Sequence, residues 1–183
     1  MASAFTHAFV AVAAGKVYGC QPRPWRFWIA SIALSILPDA DVIGFAFGVH
    51  YGDFLGHRGF SHSIAFALLA GAAVLPFFPE RSWKLWLYFS VVTASHGFLD
   101  AMTDGGLGIA FFSPFDTTRY FLPWRPIPVS PIGVDPFFSR WGVKVLVSEM
   151  LYVWLPAALM TATVLFVRSR LRRKSEEPRG GAA

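Results

Sequence analysis

Apolar positions along this chain fall into blocks separated by short polar or turn-rich breaks. Ala4–Tyr18 and Trp25–Leu37 form the first two blocks, joined by Gly19-Cys20-Gln21-Pro22-Arg23-Pro24. Three longer ones follow at Ile64–Phe78, Leu85–Met102 and Val143–Val167. Crossing a hydrocarbon core takes about 20 mostly apolar residues, so the last three predict full spans. The first two are short for that and predict tilted helices or a re-entrant hairpin, the second ended by Pro38 and the acids behind it. Between Thr103 and Gly142 helical periodicity disappears, and a segment rich in Pro, Gly and aromatics predicts a packed lid. The expected fold is all-α: a polytopic membrane bundle of about five helices, three full spans plus two short N-terminal helices. It forms one domain over residues 1–167, followed by a basic, disordered cytoplasmic tail over 168–183.

Composition strengthens the membrane reading. Hydrophobic residues make up 55% and charged residues 15% of the chain, against roughly 45–50% and about 25% in soluble domains. The net charge of +5 raises nucleic acid as a partner, but its placement argues against it: six of the 16 cations lie between Arg168 and Arg179, just after an apolar run. That pattern suits a cytoplasmic anchor against anionic lipid. The single cysteine, Cys20, excludes an internal disulfide. The N-terminus has no basic n-region and Lys16 interrupts its apolar stretch, which argues against a cleaved signal peptide.

Placing the tail in the cytoplasm fixes the other loops by alternation. Lys16, Arg23, Arg26, Arg81, Lys84 and the tail cations then lie inside, as the positive-inside rule requires. The same choice sends all five histidines (His7, His50, His57, His62, His96), all seven aspartates and Glu149 to the outer half. The metal-type side chains gather at one face.

Within that face, Ser95–Asp104 reads S-H-G-F-L-D-A-M-T-D, which spaces His96, Asp100 and Asp104 at i, i+4 and i+8. On a helix these would line one stripe, about 6 Å apart per step, and ionisable groups near a transmembrane helix end point to function. An imidazole and a carboxylate one turn apart can reach one divalent ion. Leu37–Asp41 (L-P-D-A-D) sets Asp39 and Asp41 two apart, where they repel unless a cation or donors sit between them. His57–Ser63 (H-R-G-F-S-H-S) is either polar trim at a membrane surface or half of a metal site. Its Ser61 and Ser63 are positioned to cap the following helix. His7 joins the group only because topology brings it to the same end. Glu149, about one turn inside the last span, is a candidate ligand, base or supporting group. Arg58, Arg119 and Arg125 are candidates for phosphate or head-group binding or for snorkelling to the interface. His50, Asp53, Asp116 and Asp135 have no partner spacing and read as solvated or structural.

Taken in order, F-T-H, L-P-D-A-D, H-R-G-F-S-H-S and H-G-F-L-D…T-D-G-G make the chain resemble the YdjM-like family of LexA-regulated inner-membrane proteins regarded as metal-dependent hydrolases. The resemblance runs from His7 to about Pro131. That family is grouped distantly with zinc-dependent phospholipase C and the P1-type nucleases. It implies His7, Asp41, His57 or His62, His96 and Asp100 as metal ligands, with Asp39 and Asp104 beside them. The second H-x-x-x-D helix and the N-terminal ligand of those soluble enzymes are not found, so one or two zinc ions are expected, not three. The function expected is metal-dependent hydrolysis of a phosphoester or lipid head group at the outer face of the bacterial inner membrane. In it Asp39, Asp104 or Glu149 would serve as base, and Arg58, Arg119 and Arg125 would meet the phosphate. The competing expectation is a non-enzymatic membrane protein, either a metal-stabilised lipid-binding scaffold or a divalent-ion or proton transporter. Transport is disfavoured because the deeper polar residues of the spans, such as Ser90, Thr93 and Thr161, are not ionisable. Membrane lipids and a small-molecule or lipid substrate are the expected partners.

Overall fold

A computed structural model describes residues 1–19, 24–131 and 134–176. Helix α1 (Ala4–Tyr18) starts at Ser3, whose hydroxyl accepts from Thr6 N. Helix α2 (Trp25–Ile36) does not stop at Pro38. It tightens into a 3₁₀ helix over Leu37–Phe47 that ends at Gly48, in the left-handed region with φ 79°. Proline at the second position of a new helical type costs no internal bond, because its missing N–H would be an orphan donor there. The tightening is unusually long for 3₁₀ geometry, and it carries Asp39 and Asp41.

Helix α3 (Ile64–Val74) is capped by Ser63, which accepts from Phe66 N at 3.0 Å. Ser61 does not cap; its hydroxyl turns to Asp41 instead. Helix α4 (Trp83–Ala101) begins at a Ser82 cap and is packed by α1, α2 and α3. Gly71 lets α3 and α4 meet closely, since a Cβ there would lie 2.3 Å from Ser90 Oγ. A short turn, α5 (Val134–Phe137), precedes α6 (Arg140–Glu149). A π turn over Met150–Trp154 then joins α6 to α7 (Leu155–Glu176), giving one rod that packs on α1.

Among the described residues, two helices are long and apolar enough to cross a membrane: Trp25–Phe47, of 23 residues, and Arg140–Ser175, of 36 residues. The expectation of three full spans is therefore corrected. Ile64–Phe77 is apolar but shorter, and at 1.5 Å per residue it falls short of a core about 30 Å thick. Leu85–Met102 is the central helix of the bundle, with Phe89, Val92, Thr93, His96 and Asp100 all buried against neighbours. The block expected to be half of a hairpin, Trp25–Leu37, gains span length through its 3₁₀ extension. Residues 168–176 of the expected tail continue α7 as helix; Arg179 and the rest of 177–183, like Cys20–Arg23, lie outside the described residues.

The core has three parts. Ala11, Phe27, Leu34, Leu85, Tyr88, Phe89 and Val92 fill the centre of α1–α4. Ala101, Ile109 and Phe111, with Leu122, seat the lid; Ala2, Leu99, Ile127 and Val153 tie it to the N-terminal residues, α4 and the Met150–Trp154 turn. The lid contains no strand among the described residues, only bridges pairing Ile109 with Tyr120 and Thr103 with Ile127. It closes over one end of α4, where the buried polar residues collect.

Candidate metal centre

Four elements deliver the site. The 3₁₀ extension of α2 supplies Asp39 and Asp41, the loop before α3 supplies His57, Arg58 and His62, α4 supplies His96 and Asp100, and the second turn of α1 supplies His7. Asp39, His62, His96 and Asp100 are all buried, and one donor atom from each lies within 4.8 Å of the others. His96 Nε2 is 3.2 Å from Asp39 Oδ1, while His62 Nε2 is 3.6 Å from Asp39 Oδ1 and 3.9 Å from Asp100 Oδ2. Four donors bound at about 2.0–2.1 Å around one tetrahedral ion would stand about 3.3 Å apart. The two separations to Asp39, 3.2 and 3.6 Å, approach that, and the His62–Asp100 separation of 3.9 Å is wider.

The hydrogen bonds outside this group determine which atoms face it. His96 Nδ1 donates to Ser35 O at 2.7 Å, leaving Nε2 with a lone pair. His62 Nδ1 lies 3.2 Å from Asp41 Oδ2 and 3.0 Å from Ser61 Oγ, so its Nε2 also turns inward. Both oxygens of Asp39, Nε2 of His62, Nε2 of His96 and both ring nitrogens of His7 have no hydrogen-bond partner among the described residues. Lone pairs converging in a dry interior repel, and an uncompensated buried carboxylate costs several kcal/mol. A cation between them removes both penalties. For His62, burial pushes the imidazole down, but the nearby carboxylates of Asp39 and Asp41 lift it to about 8. The position calls for positive charge, which a proton or a metal ion can supply. These buried groups could hold a metal ion, with ring orientations fixed by a carboxylate and a carbonyl behind them.

The remaining sequence candidates take other positions. Asp41 stands behind the cluster: it accepts from His57 Nδ1 at 2.7 Å, Ser61 Oγ at 2.6 Å and Arg58 N at 3.1 Å. With His57 and His62 it forms a second group of metal-type side chains, its oxygens already occupied by these donors. His7 stacks on His96, ring centroids 3.7 Å apart, with Nε2 3.5 Å from Asp100 Oδ1. Asp104 is displaced from the expected stripe. Helix α4 ends at Ala101, so the residue three further on sits in the lid, exposed, accepting from Val129 N.

The arginines are engaged internally. Arg58 is fully buried at φ 65°, a conformation that side chains other than glycine rarely hold without support. Its Nε donates to Asp100 Oδ2, Nη1 to Gly105 O and Nη2 to Thr103 Oγ1. T-D-G-G is thus a cradle: a Cβ at Gly106 would lie 2.6 Å from Arg58 Nη1. Arg119 donates to the carbonyls of His57, Tyr51 and Asp53, tying the lid to the loop before α3. Arg125 is exposed, over the ring of Phe121. Glu149 is fully buried and accepts from Ser3 and Thr6 at the start of α1. His50, Asp53 and Asp116 are at the surface; the side chain of Asp135 lies outside the described residues. Sequence reasoning missed Ser35, took Ser61 for a helix cap, and gave Thr103 no role of its own within T-D-G-G.

The YdjM inner membrane protein family model matches residues 1–173. The chain belongs to that family. It is 39% identical over 166 residues to the inner membrane protein YbcI of Escherichia coli (strain K12), covering 87% of this chain and 95% of that protein. No solved structure matches. Family membership places the chain in the inner membrane, in agreement with its two span-length helices.

Proposed function

We propose that this chain is a membrane-embedded, metal-dependent hydrolase that acts on phosphoesters or lipid head groups at the outer face of the inner membrane. The observation that carries this reading is the set of unpartnered inward-facing atoms on Asp39, His62 and His96, beside Asp100. Two imidazoles and two carboxylates suit Zn²⁺ or a similar divalent ion, and no cysteine takes part. When bound, such an ion supplies a water of pKa near roughly 7 and a Lewis-acid partner for a phosphoryl oxygen. Asp39, His62, His96 and Asp100 would hold it, while Asp41 and the Ser35 carbonyl keep the two rings in register. Of the carboxylates first considered as base, Asp39 is the one at the cluster, and its second oxygen is available to take a proton from water. Arg58 donates to Asp100 and keeps it in place. The inner-membrane location is what supports a lipid substrate in this reading.

One observation favours a second reading, a metal-stabilised scaffold without catalysis: His96 and Asp100 are fully buried, and Asp39 and His62 nearly so. A closed site of four protein ligands is the structural kind.

The test uses detergent-purified full-length chain, wild type beside His96→Ala and Asp100→Ala, assayed for bound metal and for cleavage of a generic phosphodiester and of phospholipid vesicles. Hydrolysis is expected with about one or two equivalents of metal, and both are lost in the variants. Metal without hydrolysis would move the assignment to the scaffold. A wild type that takes up no divalent ion would sink both.

A further inference from the structure

Glu149 is a buried carboxylate within a helix of span length, Arg140–Ser175, and it is not part of the donor cluster. An ionised group in such a place needs partners, and its partners, Ser3 and Thr6, lie 146 and 143 residues away in sequence. Its Oε1 accepts from Ser3 N at 2.5 Å, and its Oε2 accepts from Ser3 Oγ at 2.5 Å and from Thr6 Oγ1 at 2.8 Å. The first turn of a helix has orphan N–H donors and the positive end of the helix dipole, so a carboxylate is favourable there. The grip is doubled by Trp154, whose Nε1 donates to the same Thr6 Oγ1 at 2.7 Å. Residues five apart on an α-helix point about 140° away from each other. Bonding of the i→i+5 kind, as from Leu155 N to Met150 O, brings Glu149 and Trp154 toward one face. The π turn therefore has a purpose: it lets one helix present two side chains to a single threonine.

Thr6 is the residue before His7, and the chain at Ala2 is fixed as well, its N donating to Asp100 Oδ1 at 2.6 Å. We propose that Glu149, assisted by Trp154, is a positioning residue of the metal centre, which holds the first turn of α1 so that His7 stands against His96 and Asp100. This rests on the metal-centre reading above. It gives the last helix control over the coordination sphere without contributing a ligand, and it removes Glu149 from the candidates for general base.

The probe is Co²⁺, whose visible absorption reports ligand number and geometry, bound to the full chain in detergent. Wild type, His7→Ala, Glu149→Gln, Thr6→Val and Trp154→Phe are compared, each with its helical content checked. Glu149→Gln and Thr6→Val are expected to shift the spectrum in the direction that His7→Ala shifts it. Their Co²⁺ affinity should fall by about 10- to 100-fold, the range typical for groups that orient ligands. Thr6→Val and Trp154→Phe keep the test alive if Glu149→Gln does not fold. Wild-type spectra in folded Glu149→Gln and Thr6→Val, with a shifted His7→Ala, would overturn the positioning role alone. Failure of the wild type to bind Co²⁺ would overturn the metal centre beneath it.

Discussion

At the scale of single residues, the pairing of Arg58 with Asp100 holds the candidate centre together. Arg58 is enclosed, and Asp100, Gly105 and Thr103 consume its donors. Breaking a buried ion pair by removing one partner costs about 3–5 kcal/mol, because the other charge is left without compensation. Arg58→Ala is therefore expected to lower the melting temperature sharply and to weaken metal binding, measured by thermal unfolding in detergent with and without added zinc. Arg58→Lys should not rescue it, since a single ammonium cannot address three acceptors in a planar fork. Asp104→Ala is the contrast. Its carboxylate accepts from Val129 N at the surface, so metal content should remain that of the wild type, and a loss of metal would return Asp104 to the ligand set. The i, i+4, i+8 pattern was legible in the sequence; the end of α4 at Ala101 was not, because no proline or glycine marks it before Gly105.

At the scale of elements, the site depends on close approach between helices. A Cβ at Gly71 would press on Ser90 Oγ and on Ser90 N, at 2.3 and 2.9 Å. Backbone cannot yield as a flexible side chain can, so Gly71→Ala is expected to cost about 1–3 kcal/mol of overpacking. Thermal melting of the variant should show the loss, with metal content retained in the folded fraction because Gly71 sits away from the donors. Helix positions and the packed lid could be read from the hydrophobic blocks. The 3₁₀ continuation through Asp39 and Asp41 could not, since Pro38 reads locally as a stop. Tertiary packing overrode that signal by extending the element across the end of α4.

At the scale of the whole molecule, two expectations concern metal and membrane. If a divalent ion is part of the native fold, chelation removes a ligand that binds only the folded state, and stability falls accordingly. EDTA-treated protein should melt at a lower temperature than the zinc-loaded protein, and Asp39→Asn should be insensitive to both treatments. We also propose that the centre faces the outer side and that the basic C-terminal end faces the cytoplasm, as the positive-inside rule favours. In a Cys20→Ser background, a cysteine at His50 should react with a membrane-impermeant maleimide in intact spheroplasts, and one at Ser175 only after permeabilisation. The reverse labelling would invert the orientation.

The sequence by itself determined the class of molecule, its helical character and the inventory of donors, because these depend on composition and on periodicity within a few turns of chain; which helices reach span length it did not determine. By alternation it predicted His7, Asp39, His62, His96 and Asp100 at one end, though from a span count that the structure corrects. Only the tertiary structure decided their roles. It faced Nε2 of His62 and His96 toward Asp39, set Asp41 behind them, enclosed Arg58 and bound Glu149 to α1. Each of those outcomes rests on side-chain directions and on contacts between residues tens to more than a hundred positions apart, which local pattern does not encode.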